Sequence, residues 1–262
     1  MHSLLSAAAL VSLFSQTPAP APTPAPVATA AAAPIENPFI SLLPHLGEDL
    51  VALPSITNAG ILATGGALAL VFHNNHDERL RNWVIQQDAS SPSSSVGNFV
   101  GDGVTQGAAA VAVWLAGRAT GSSRVENTGA NLIRAQVLNG VLTQGLKLAV
   151  NRTRPDGGSH ALPSGHTSAA FATAAVIQHD YGVGAALPFY ALGGFIGWSR
   201  VRTNHHWLSD VAFGAALGMV AGRAASRDRP GQWSAVPVKT PGGFALYLVR
   251  TSTGRTSPPR SK

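Results

Sequence analysis

Four apolar runs constrain the fold of this chain more than any other feature: "ILATGGALALVF", "GAAAVAVWLAG", "SAAFATAAVI" and "DVAFGAALGMVAG". Each is built mainly from Ala, Gly, Leu and Val and lacks the strict apolar–polar alternation of a half-buried strand. Small residues let helix backbones approach closely, so the pattern predicts an all-α fold, a bundle of tightly packed helices. Expected helices lie near 47–72 (broken around Pro54), 78–87, 95–118, 126–150, 164–179, 184–200 and 205–225. A bilayer span needs about 20 apolar residues, and these runs are shorter. Only "GVGAALPFYALGGFIGW", Gly182 to Trp198, approaches that length, and it contains Pro188. The expectation is a buried helical core with peripheral membrane contact, and integral insertion is the competing reading.

The flanks read differently. "MHSLLSAAALVSLFSQ" has the short apolar core of an export signal over 1–16, although no Lys or Arg precedes it. A Pro/Ala-rich linker follows over 17–36. The helical domain is expected over 37–226, and a basic tail over 227–262, in which "SAVPV" and "FALYLV" flank "KTPGG" as a β-hairpin at the C-terminus. This organisation predicts an exported protein of the periplasm or cell envelope. The formal charge of +6 comes from the tail: residues 223–262 hold eight Lys or Arg against the single acid Asp228. The remainder is near neutral, which argues against nucleic acid as a partner. The chain has no cysteine, so disulfide frameworks and thiolate metal sites are excluded. Nothing in the pattern indicates an oligomeric state.

Three stretches carry groups suited to binding an anion. In "KLAVNRTRP", Lys147 and Arg154 stand two helical turns apart and share a face if the helix extends that far; Pro155 marks its end. In "ALPSGHTSAA", Ser164 is the expected N-cap of a small-residue helix whose first amides, at Gly165 and His166, form an anion site. In "SRVRTNHHWLSD", Arg200 closes one helix and the next begins around Asn204. There His206 and Asp210 are spaced i and i+4, which would stack them on one face. A carboxylate on the Nδ1 proton leaves Nε2 as the reactive nitrogen. His205 has only Ser209 at the same spacing, so it is expected at the helix start or rim.

Lys147-x6-Arg154-Pro155, then Pro163-Ser164-Gly165-His166, then Ser199-Arg200-x5-His206-x3-Asp210 resembles the three-part signature of the type 2 phosphatidic acid phosphatase superfamily. That superfamily includes bacterial acid phosphatases, lipid phosphate phosphatases and vanadium haloperoxidases. The resemblance implies a metal-independent hydrolase of phosphate monoesters, whether lipid phosphate, lipid diphosphate or soluble ester. It implies that His206 attacks phosphorus to form a phosphohistidine, supported by Asp210, while His166 protonates the leaving alkoxide and later activates water. Lys147, Arg154 and Arg200, with Ser164 and Gly165, would hold the phosphate oxygens. Cations around a helix N-terminus suffice for phosphoryl transfer, which is largely positioning and charge stabilisation.

The same site read as a haloperoxidase would hold vanadate as its only cofactor; the shorter chain favours the phosphatase, for which no cofactor is expected. A catalytically silent binding protein would lack a nucleophile or acid, and here both are present. No metal cluster is apparent, since His73 and His76 have loop-like surroundings and are expected at the surface. Asp77 is expected to cap the helix beginning "ERLRNWVIQ". Arg152, His160 and Arg202 fall outside the signature and are expected to face solvent. The connection "DGGSHALP" leaves little material for a substrate cap.

Overall fold

In a computed structural model, the described residues are 46–84, 86 and 94–227, with the backbone alone of 92–93, 232–240 and 243–251. The export signal, the linker and most of the basic tail fall outside them, and the expected hairpin lies beyond the residues described with side chains.

Between residues 46 and 227 every regular element is a helix, as the apolar runs predict. They are α1 (46–51), α2 (Ile56–Asn75), α3 (Asp77–Val84), α4 (Pro92–Gly101), α5 (Gly103–Thr120), α6 (Ser123–Val150), α7 (Gly165–Tyr181), α8 (Val183–Arg202) and α9 (Leu208–Ser226). The break at Pro54 is present, and Ser55 caps α2 by accepting from the Asn58 amide at 3.1 Å. The single helix expected over 95–118 is instead two, bent by 57° at Asp102. Asp102 caps α5, its Oδ1 accepting from Val104 N. A capping carboxylate offers the backbone an alternative to continuing the helix.

Glycine spacing sets the centre of the bundle. Gly214, Gly218 and Gly222 recur every fourth residue on α9 and face Ser164, Ser168 and Ala172, which recur every fourth residue at the start of α7. A Cβ on those glycines would lie 2.7, 2.1 and 2.4 Å from the carbonyl oxygens of Ser164, Ser168 and Ala172. Backbone therefore rests on backbone, and nothing larger than hydrogen fits. Around this seam Ala135, Ala172, Val176 and Ala225 are fully buried with Leu132 and Ala110.

The outside of the bundle departs from expectation. Thr57, Asn58 and their neighbours extend "ILATGGALALVF" into a 20-residue helix, α2, which is long and apolar enough to cross a membrane, with only 11% of its apolar window buried. Large apolar side chains also point outward on other helices, among them Val104 on α5, Val141 on α6 and Leu187, Phe189 and Phe195 on α8.

Candidate active site

One end of the bundle gathers the C-termini of α2, α6 and α8 with the N-termini of α3, α7 and α9. The chemistry-bearing residues lie there. A helix seen only in sequence gives no sign of which ends will meet; antiparallel packing brings these together.

Lys147 is on the last turn of α6, 8% exposed, and donates to the His160 carbonyl at 2.6 Å. Arg154 is not on the same helix face, because α6 stops at Val150 and Asn151 turns left-handed with φ 44. Arg154 reaches the site from the following loop. That loop folds back on itself: Arg154 N donates to the Gly158 carbonyl at 2.7 Å, and its Nε donates to the Ser159 carbonyl at 2.9 Å. The short "DGGSHALP" connection is thus a tight scaffold for two cations.

Ser164 occupies the N-cap position of α7, but its hydroxyl makes no capping bond. Its Oγ pairs with Thr167 Oγ1 at 3.0 Å, and the residue is fully buried. The Ser164 amide donates to the Asp210 carbonyl at 3.0 Å, locking the two motifs in register. Gly165 opens the helix and His166 follows on its first turn. Arg200, 6% exposed, donates through Nη1 to Oδ1 of Asn98 on α4. Its Nε is buried without a hydrogen-bond partner among the described residues.

α9 begins at Leu208 rather than near Asn204, so His206 precedes the helix. Its ring still lies beside Asp210, with Nδ1 to Oδ2 at 3.6 Å. That is outside hydrogen-bond range, and Nδ1 has no hydrogen-bond partner among the described residues. Oδ2 instead caps the helix, accepting from Trp207 N at 2.9 Å. His205 turns away, its Nδ1 meeting the Thr203 carbonyl at 2.8 Å.

The charges act on one another. Burial and then Arg200 push His166 down to about 4, with Asp102 opposing and His206 contributing in the same direction as Arg200. Burial, followed by Arg154, pushes Lys147 down to about 8, and Arg200 adds to this while Asp210 opposes. Burial lowers His206, which Asp210 opposes and which Lys147 and Arg200 reinforce. Burial and Arg200 lower His205. A cluster of cations that depress one another has the electrostatics of an anion site. Two histidines with lowered pKa values, His166 and His206, lie within it.

Other sequence expectations need correction. Arg152 does not face solvent: it donates to Asp210, Ser209 and Asp77. Asp77, expected to cap the following helix, is itself the first residue of α3 and a buried acid, 3% exposed. Its Oδ1 accepts from Ser209 N at 3.0 Å. His160 and Arg202 are half-buried. His73 is largely exposed, yet its Nδ1 meets Arg152 Nη2 at 2.9 Å. Asn98, Asp102 and Asp77 are site residues that sequence reasoning missed, and only the His73–Asp77 spacing of four gave a local hint. Among the described residues no group of three His, Cys, Asp or Glu could hold a metal ion.

Comparison with known proteins adds to this geometry. Residues 128–234 match the family model described as the PAP2 superfamily. The chain is 35% identical over 125 residues to the lipid A 1-phosphatase of Porphyromonas gingivalis, across 45% of this chain and 26% of that protein. It therefore spans about a quarter of the length of that curated relative. The solved transmembrane PAP2-type phosphatidylglycerolphosphate phosphatase of Bacillus subtilis superposes with a TM-score of 0.53 at 17% identity, covering 65% of this chain and 94% of that one. That likeness establishes a shared fold. Aquifex aeolicus LpxE superposes with a TM-score of 0.41 at 20% identity, over 61% of this chain and 92% of that one.

Proposed function

We infer from residues 128–234, which match the family model described as the PAP2 superfamily, that this protein is a phosphatase that removes a phosphate monoester from a lipid. The observation that carries the reading is the clustering of Lys147, Arg154 and Arg200 at one end of the bundle, with Arg200 acting on both His166 and His206 and Lys147 on His206.

In the proposed reaction the substrate phosphate lies among the three cations and the first turn of α7, where Ser164 and Gly165 add polar contacts. Nε2 of His206 attacks phosphorus, the bond to the leaving alkoxide breaks, and His166 delivers the proton that alkoxide needs. Water then attacks the phosphohistidine, His166 takes its proton, and inorganic phosphate leaves with His206 restored. The depressed pKa of His166 belongs to the site without anion. A phosphate dianion offsets the Arg200 charge and draws a proton onto the ring, so the acid is loaded only when substrate is present. Asp210 balances the charge that His206 acquires.

The lipid part of the reading is supported by the outer surface. An exposed apolar face of this extent marks a membrane or protein contact, and α2 has the length to cross. We place α2 in the bilayer and the helix-end site at the water side of the hydrocarbon, where a lipid headgroup meets the cations. Export to the periplasmic side of an envelope fits this arrangement. Purified protein in detergent should release inorganic phosphate from a lipid phosphate monoester and lose that activity in His206→Ala. Absence of phosphate release from lipid and soluble monoesters alike would overturn the reading. Peroxide-dependent halide oxidation after vanadate loading would favour the haloperoxidase instead.

A further inference from the structure

We infer that Arg152 is a positioning residue for the reaction, anchored by Asp77 and acting through Asp210 on His206. The inference rests on the phosphatase reading above. Arg152 lies in the extended segment after α6, where nothing in the three-part signature calls for a cation.

Its fork is fully used. Nη1 donates to Oδ1 of Asp210 at 2.6 Å and to Oγ of Ser209 at 2.7 Å. Nη2 donates to Oδ2 of Asp77 at 2.9 Å and meets Nδ1 of His73 at 2.9 Å. Asp77 also accepts from both the amide and the hydroxyl of Ser209. The two carboxylates are 3% and 0% exposed, and the guanidinium between them is 20% exposed. A buried carboxylate without a partner is costly, so neither acid is expected here without Arg152. Lysine could not replace it, because a point charge cannot bridge two carboxylates in the planar geometry that arginine presents.

The consequence for His206 follows from the two oxygens of Asp210. Oδ1 is bound by Arg152 and Oδ2 by Trp207 N. The carboxylate plane cannot rotate, and it is held with Oδ2 3.6 Å from the ring. Arg152 also withdraws negative potential from His206, and Asp77 restores part of it. The other charged and titratable groups facing His206 are Lys147 from α6, His166 from α7 and Arg200 from α8, and their side-chain hydrogen bonds among the described residues go to His160 and Asn98 rather than to this network. Arg152 and Asp77 therefore act on His206 with opposite signs.

That opposition is the test. The full chain in detergent is assayed with a lipid phosphate monoester, and kcat and KM are recorded against pH for wild type, Arg152→Gln, Asp77→Asn and the double variant. Losing the guanidinium should raise the histidine that must be neutral to attack, moving the acid limb of kcat/KM to higher pH. Asp77→Asn should move the limb to lower pH, and the double variant should return it towards wild type. Each single change should lower kcat by about 10- to 100-fold, the usual cost of losing a supporting hydrogen-bond partner, with KM little altered. Unchanged kcat in folded variants, limbs displaced in the same direction, or a rise in KM alone would overturn the inference. If Asp77→Asn does not fold, the direction of the Arg152→Gln limb decides. If Arg152→Gln does not fold, Ser209→Ala decides, because it removes one bond to each partner, keeps every charge, and should lower kcat without moving the limb. Wild-type protein with no phosphatase activity would defeat the underlying reading instead, which separates the two failures.

Discussion

Nδ1 of His206 and Oδ2 of Asp210 lie 3.6 Å apart, with the carboxylate already occupied as the cap of α9. The pair is adjacent but not bonded, a geometry that a small ring rotation closes. Catalytic hydrogen bonds are often long without substrate and tighten when it binds. In the proposed mechanism, the charge that His206 would gain as a phosphohistidine supplies the attraction for that closure.

His206→Ala should therefore abolish turnover and any acid-labile phosphoenzyme, whereas His205→Ala should retain most activity, since the His205 ring faces the Thr203 carbonyl. Asp210→Asn should keep the fold and lose much of the rate; in acyl-transfer triads the same change costs about 10⁴. Rapid-quench labelling checks this. Phosphate on His205, or equal loss in folded His205→Ala, would reassign the nucleophile.

His166 should change its protonation when an anion binds. With the ring held down to about 4, an anion that raises it takes up a proton, so inorganic phosphate or vanadate should bind more tightly as pH falls, by up to about tenfold per pH unit. Isothermal titration of the detergent-solubilised protein in two buffers of different ionisation enthalpy reads the proton uptake directly. The same depression contributes to stability. The unfolded chain binds this proton at its ordinary 6.5, so the contribution is present above pH 6.5 and is lost as pH falls towards 4. Binding with no proton uptake across that window would remove His166 from the acid role.

Chelation should leave activity intact. The proposed machinery balances the phosphate charge with Lys147, Arg154 and Arg200 rather than a metal, and no described group of acids and histidines could hold one. Turnover in EDTA should match the untreated rate, with competitive inhibition by vanadate. Loss on chelation, restored by a divalent ion, would show that the charge stabilisation has another source.

Gly218→Ala should destabilise the bundle. The added Cβ would stand 2.1 Å from the Ser168 carbonyl oxygen, and overpacking of a tight core costs about 1–3 kcal/mol. Thermal unfolding in detergent should show a lowered midpoint, while Gly184→Ala, with nothing within 4 Å of its new Cβ, should not. Equal midpoints would mean that the α7–α9 seam yields more easily than backbone-on-backbone contact implies.

The protein should remain with membranes after high-salt and alkaline washing and come out in detergent. α2, α5 and α8 carry exposed large apolar side chains, the kind of surface that marks a membrane or protein contact. Release by alkali alone would return the chain to the peripheral attachment expected from the short runs.

The sequence by itself determined the helical class, because period and residue size are local properties, and it singled out the candidate anion-binding residues, because their types and order are compact within Lys147 to Asp210. It also separated His206 from His205 by the spacing to Asp210, although the helix assumed there begins two residues after His206. Only the tertiary structure decided how Lys147 and Arg154 meet, since α6 ends at Val150 and a loop performs the join. It alone brought Asp77, 133 positions from Asp210 along the chain, to the far side of Arg152. The outward apolar surface belongs to the same class of decision. Hydrophobicity in a sequence says that a helix avoids water, but whether it meets another helix or lipid depends on which of its faces the rest of the fold has already covered.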